Sequence, residues 1–133
     1  MRKYIIAILF LLSLSAPYAR ADYFGYWMDT STANLANGAT YSSDCIDVSD
    51  YKTLNVNVLS SHDSASDGVK IQFYRDSSCS LLVYSADAGG WTYTAGSLPE
   101  SYAASVRGEY GKVTYTNGST TTTSILLYIF ATK

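Results

Sequence analysis

The residues with reactive side chains are few. Cys45 and Cys79 form an even pair, and in a chain bound for an oxidising compartment such a pair is expected to close a disulfide. The bridge reads as structural, because a zinc site needs more His or Cys ligands than this chain supplies. The one histidine, His62, stands beside Asp63 and just after Ser60 and Ser61. These are the residue types of a serine hydrolase. That chemistry, however, needs a base hydrogen-bonded to an activated nucleophile and an oxyanion hole, usually on a sharp elbow, and no G-x-S-x-G occurs. His62 therefore reads as a solvated loop residue. Glu100 and Glu109 could serve as an acid–base pair in glycoside hydrolysis, but any acidic surface offers two such carboxylates, and nothing around them suggests a raised pKa. No catalytic residue is assigned, and the chain is expected not to be an enzyme.

Calcium is tested by ligand spacing. Asp63 to Gly68 starts like a calcium loop, with Asp at positions one and five and Gly at six. The third position is Ala65, which has no side-chain oxygen, and the twelfth, where a bidentate Glu would close the shell, is Tyr74. A hairpin turn is the better account of that segment. Asp44, Asp47 and Asp50 are a second calcium candidate, but they read better as solvated residues or caps of turn amides. No metal and no cofactor is predicted.

The elements that position these residues begin with an export leader. Arg2 and Lys3 precede the apolar run of residues 4–14, and Ala19-Arg20-Ala21 offers small side chains where a signal peptidase inspects them. The run is too short to cross a bilayer as a helix, which takes about 20 residues. Residues 1–21 are thus expected to be a signal peptide cut after Ala21, and residues 22–133 one domain large enough to bury a core. Removing Arg2, Lys3 and Arg20 leaves six basic against eleven acidic residues, a formal charge of −5. That balance argues against nucleic acid and anionic membrane surfaces as partners. The mature chain is expected outside the cytoplasm, secreted or on the cell surface, or in the periplasm of a Gram-negative host, with no segment inserted in the membrane.

Along that domain the dominant signal is a period of two. Leu54, Val56 and Val58 alternate with Asn55 and Asn57, and Val69, Ile71 and Phe73 alternate with Lys70, Gln72 and Tyr74. The polar stretch 60–68 between them ends in Asp67-Gly68, which suits a hairpin turn and predicts that the two strands are antiparallel neighbours or nearly so. Residues 23–28, 80–84, 91–94, 101–107, 112–116 and 122–131 are further strand candidates. The fold class predicted is all-β, a single antiparallel sandwich or jelly roll of seven to nine strands with one disulfide. Residues 124–130 (SILLYIF) are apolar at consecutive positions, which predicts a central strand covered on both faces or one that meets another subunit.

Two stretches carry a family resemblance. Residues 45–78 (CIDVSDYKTLNVNVLSSHDSASDGVKIQFYRDSS) and 106–120 (VRGEYGKVTYTNGST) resemble the strand-and-turn pattern of small β-sandwich domains in phage and other virion structural proteins. The resemblance implies a sandwich that works by contact within an assembly or with a surface glycan, without catalysis. The leader is a departure from that family and moves the expected assembly from a virion to a cell surface.

Aromatic residues supply the remaining candidates. Eleven Tyr remain once Tyr4 and Tyr18 leave with the leader, and Tyr joins an apolar face to a polar tip, which suits both protein interfaces and sugar rings. Tyr23, Phe24, Tyr26, Trp27 and Met28 open the mature chain and are candidates for a strand donated to a neighbouring subunit, the alternative being an intramolecular first strand. Trp91 and Tyr93, after Gly89-Gly90, are candidates for a glycan platform or a hydrophobic plug. Asn117-Gly118-Ser119 is an N-x-S acceptor that could carry a glycan, and Asn-Gly is also a good hairpin turn. The function expected is that of an exported non-catalytic structural or assembly subunit, an extracellular filament or surface protein, that associates with itself or with another surface protein. The alternative is an extracellular carbohydrate-binding module.

Overall fold

Alternation of apolar and polar residues builds the strands and decides which face each one buries. In the computed structural model, which describes residues 24–32, 35–121 and 124–133, nine strands follow one another. They are β1 (Phe24–Thr32), β2 (Thr40–Ser42), β3 (Ile46–Asp47), β4 (Thr53–Ser60), β5 (Ser64–Tyr74), β6 (Leu82–Ser85), β7 (Glu100–Ser105), β8 (Tyr110–Asn117) and β9 (Ile125–Thr132). A single 3-10 turn, Asp87–Gly89, follows β6. The expected leader, its cut after Ala21 and Tyr23 lie outside the described residues.

All strand pairings are antiparallel. One sheet has the order β1-β9-β4-β7, and the other β2-β8-β5-β6, with the short β3 also paired to β8. β2 and β3 take successive stretches of β8, Thr114 to Thr116 and then Tyr110 to Gly111, so together they make one interrupted edge strand. This order, with the chain crossing between sheets at nearly every connection, is that of a jelly roll. The all-β sandwich expected from alternation is present, and its disulfide joins Cys45 to Cys79 with an S–S distance of 2.03 Å.

The core lies between the sheets. Leu54, Val56 and Val58 of β4 and Ile125, Leu127, Ile129 and Ala131 of β9 face Val69, Ile71 and Phe73 of β5 and Val113 and Tyr115 of β8. Interdigitation of two inner faces is what holds such a sandwich together. At Gly111 of β8 a side chain of the opposite sheet fills the space above the backbone, and a Cβ there would stand 2.7 Å from Leu54 Cδ2.

The structure corrects the expectation for residues 60–68. β4 and β5 are not neighbours but lie in opposite sheets, so the connector crosses the sandwich rather than reversing within one sheet. Residues 65–68 form a wide bulge, since β5 pairs Ser64 with Asn117 and Val69 with Tyr115 while only Thr116 intervenes on β8. Asp67 takes φ 52° there, and a Cβ on Gly68 would meet Thr116 O at 2.7 Å. The Asp-Gly pair thus serves a bulge, which needs the same backbone freedom as a turn. The segment 91–94 is also not a strand: Trp91 makes one isolated bridge to Val69.

Candidate contact surfaces

The buried end of β4 shows how the loops are fastened. β7 begins at Glu100, opposite Val58, so Ser60 has no strand partner on that side. The Tyr93 hydroxyl takes the vacant place, accepting from Ser60 N–H at 2.9 Å and donating to Ser60 C=O at 3.1 Å. Tyr115 packs edge-on against Tyr93 at 6.3 Å, lies 3.2 Å from Ser60 Oγ and donates to His62 C=O at 3.1 Å. Burial pushes the Tyr115 phenol up from its ordinary value. Tyr93 is fully buried, so it cannot belong to a glycan platform. Trp91 is half-buried and tilts against Tyr102 at 5.4 Å, and Tyr102 donates to Glu100 Oε2. Of the two readings of residues 89–93, the hydrophobic plug is the one the packing matches, because Tyr93 belongs to the core and half-buried Trp91 packs against it.

Around His62 the structure opens a cleft of ≈ 310 Å³ lined by Ser61, His62, Asp63, Ser64, Ala95, Ser119 and Thr120. Ser61 Oγ lies 3.1 Å from His62 Nδ1, and Ser124 N–H points at the same Oγ at 3.4 Å. Asp63 Oδ1 accepts from Ala95 N–H at 2.7 Å, which fastens the loop after Tyr93. Asp47 accepts from Ser49 N–H at 3.0 Å and Ser49 Oγ at 2.7 Å, so it caps a turn, and the backbone bond first and the hydroxyl second hold its pKa below the ordinary value. Among the described residues no three His, Cys, Asp or Glu side chains gather as a metal site.

The outward-facing glycan acceptor is a second correction. Asn117 is the last residue of β8 and fully buried. Its Nδ2 donates toward Leu35 C=O at 2.7 Å, Ala36 C=O at 3.1 Å and Thr120 C=O at 2.7 Å. The nitrogen that would bear a sugar is thus surrounded by main-chain oxygens that it holds in place. The period of β8 sends position 117 inward with Val113 and Tyr115, and that outweighs the turn signal of Asn-Gly.

β5 and β6 form the hairpin that the sequence did not announce. Its turn is clamped by Asp76, whose carboxylate accepts from Leu81 N–H at 2.6 Å, from Ser80 N–H at 3.1 Å, from Ser80 Oγ at 2.8 Å and from the Ser78 hydroxyl. The Ser78 hydroxyl first and Leu81 N–H second hold the Asp76 carboxyl well below the usual carboxylate range. Cys79, at φ 51° in the same turn, is tied to Cys45 just ahead of β3. Beyond the turn comes an unusual edge. β6 is the last strand of its sheet, and Leu81, Leu82, Val83 and Tyr84 keep 60, 54, 54 and 41% of their surface in solvent. Val83 is the extra residue of a bulge, since Tyr84 pairs with Phe73 and Leu82 with Tyr74. The Arg107 guanidinium lies 5.5 Å over the Tyr84 ring.

The outer face of the four-stranded sheet is the other surface with apolar content. β9 is central, between β1 and β4, as its apolar run predicts, but only one of its faces is covered by the opposite sheet. Leu126, Tyr128 and Phe130 point outward, and a groove of ≈ 310 Å³ runs past Asn57, Leu59, Pro99, Leu126 and Tyr128. β1 pairs with β9 of its own chain from Phe24 to Thr32, with Trp27 as the extra residue of a bulge between Tyr26 and Met28. The residues singled out for donation to a neighbour, Phe24, Tyr26, Trp27 and Met28, therefore have a place in the intramolecular sheet.

No protein family matches the chain, and no curated protein matches it in sequence. Among solved structures it is similar to PirA, at 10% identity over 85% of this chain and 98% of that one with a TM-score of 0.42. It is also similar to a structure from Bacillus endospore appendages, described as a family of disulfide-linked pili, at 14% identity over 86% and 93% with a TM-score of 0.37.

Proposed function

We propose that the chain is an exported structural subunit, without catalysis, that works through protein–protein contact and first of all through association with itself. The observation that carries this reading is the edge formed by β6, the last strand of its sheet among the described residues, where four consecutive apolar side chains, Leu81 to Tyr84, stand in solvent. Proteins that stay monomeric blunt such edges with charge, proline or a cover. The disulfide supports an oxidising, extracytoplasmic location. Of the residues around His62, Asp63 is engaged with Ala95 N–H and Ser60 with Tyr115, so both fasten loops, which supports a role in contact rather than turnover.

Sedimentation velocity of the protein recovered from the exterior of its own host, from low micromolar to millimolar, tests the reading. Reversible, concentration-dependent association is expected, and electron microscopy of the same material would show whether it extends into filaments. A chain that remains monomeric throughout would overturn the proposal. Deleting β1 is not a suitable probe, because it would strip β9 of its partner over eight register positions. The rival glycan-binding role would fall on the groove beside Tyr128 rather than on Tyr93. Retention on immobilised polysaccharide that is lost in Tyr128→Ala would favour it.

A further inference from the structure

Resting on the assembly reading above, we infer that β6 pairs antiparallel with β6 of a second copy about a two-fold axis, joining their β2-β8-β5-β6 sheets into one. Three observations select this edge and this partner. The first is rigidity. The Asp76 clamp and the Cys45–Cys79 bridge fix the entry to β6, Arg75 N–H donates to Leu81 C=O at 3.1 Å, and Ala86 N–H donates to Ile71 C=O at 3.0 Å beyond its exit. An edge held at both ends presents its free main-chain groups ready for pairing, with little ordering entropy left to lose.

The second is composition. Residues 80–86 (SLLVYSA) contain no charge and no proline, so among the described residues the strand's protection is limited to the bulge at Val83 and the Arg107 guanidinium over the Tyr84 ring. The other edges with described side chains are different in kind. β7 exposes Ser101, Ala103 and Ser105, and the β2/β3 edge exposes Thr40, Ser42 and Asp47. An apolar strand finds its best match in another apolar strand, and the one supplied by this fold is its own copy.

The third is charge. Exposed Arg75 stands beside Leu81 at the start of β6, and exposed Asp87 follows Ala86 at its end. Antiparallel pairing brings the start of one strand to the end of the other, so each Arg75 meets the Asp87 of the second copy at both ends of the joint. A parallel arrangement would put like charges together. The interface is isologous and therefore closes as a dimer. It is also small, four apolar side chains and a few main-chain bonds per copy, which places it at the weak end of specific interfaces, with Kd on the order of micromolar. Further growth would need another surface, for which the outer face of the four-stranded sheet remains.

Sedimentation velocity of the full exported chain and four variants tests this. The wild type is expected to form a dimer, and Val83→Lys to weaken it at least tenfold while keeping the circular dichroism and melting temperature of the wild type, since Val83 is half in solvent. Arg75→Glu and Asp87→Lys should each weaken the dimer about threefold to tenfold, and the double variant should regain most of the loss. If the wild type associates but Val83→Lys associates equally well, the β6 joint is wrong while the assembly reading stands. Failure of the double variant to recover, with its fold intact, overturns the antiparallel arrangement, and growth beyond a dimer that Val83→Lys abolishes overturns the two-fold one. A monomeric wild type overturns the assembly reading itself.

Discussion

Replacing Tyr93 by Phe removes one oxygen atom and keeps the ring. The ring fills the same volume between Tyr115 and the core, so no cavity term enters. What changes is Ser60, which is 3% exposed and whose N–H and C=O face the side where β7 has already ended. Both groups are satisfied by the Tyr93 hydroxyl, and without it a buried donor and a buried acceptor lose their partner. Each orphan costs about 1–3 kcal/mol, so the pair should cost about 2–6 kcal/mol. In a domain of this size that lowers the melting temperature by roughly 10–30 °C. Differential scanning calorimetry and urea unfolding of the oxidised protein would measure it, with Tyr84→Phe, on the exposed edge, as the control expected to change stability by less than about 0.5 kcal/mol. A Tyr93→Phe protein within about 0.5 kcal/mol of the wild type would refute the reasoning, because the hydroxyl would then not be standing in for a strand partner.

Other outcomes follow from the same geometry. Reducing the Cys45–Cys79 bridge, or replacing both cysteines by Ala, frees a loop of 34 residues and should cost about 3–4 kcal/mol in the chain-entropy model, read as a lower urea midpoint. Gly111→Val drives a side chain into Leu54 Cδ2 and should cost at least about 1–3 kcal/mol, whereas Gly96→Val, where a Cβ meets nothing within 4 Å, should be close to neutral. Asn117→Asp sets a carboxylate oxygen against three main-chain carbonyls and should cost about 3 kcal/mol or more by chemical denaturation. The native protein should carry no glycan at Asn117 by intact mass. Towards acid, the folded pKa of Asp76 lies below its unfolded value, so its contribution is complete above about pH 4 and is lost as pH falls through the folded value. Asp76→Asn should flatten that limb of the stability profile. Towards alkali the sign reverses. The Tyr102 phenol is pushed far up by burial first and by its bond to Glu100 second, so its contribution persists below about pH 10 and is lost above it. Tyrosinate absorbance from Tyr102 should appear late and together with unfolding.

How legible each feature was depended on how local its cause is. The alternation in residues 54–58 and 69–73 predicts strands because a period of two is a property of the strand itself, and β4 and β5 bury the expected side chains. The cysteine pair was legible because a chain with two thiols offers a single intramolecular pairing. The neighbours of each strand were not. Residues 60–68 read as a hairpin because Asp-Gly fits any position needing positive φ, and a bulge needs it as much as a turn does. Asn117 read as an outward turn residue although the inward register of Val113 and Tyr115 was already pointing it into the core. The exposed edge was hidden for the opposite reason: Leu81 to Tyr84 look like a buried strand by hydropathy, and only their place at the end of a sheet leaves them in water.

From composition and spacing alone came the class of the molecule: an all-β sandwich stapled once and net acidic. These are sums and short-range periods, which need no knowledge of what lies across the fold. The tertiary structure decided the jelly-roll order, the inward turn of Asn117, the use of the Tyr93 hydroxyl as a strand partner, and the exposure of β6. Each of these is a long-range matter, because a strand's own pattern states that it has an apolar side but not which distant segment will cover it. The surface on which the proposed association rests is the apolar segment, Leu81 to Tyr84, that stays exposed at the end of its sheet among the described residues.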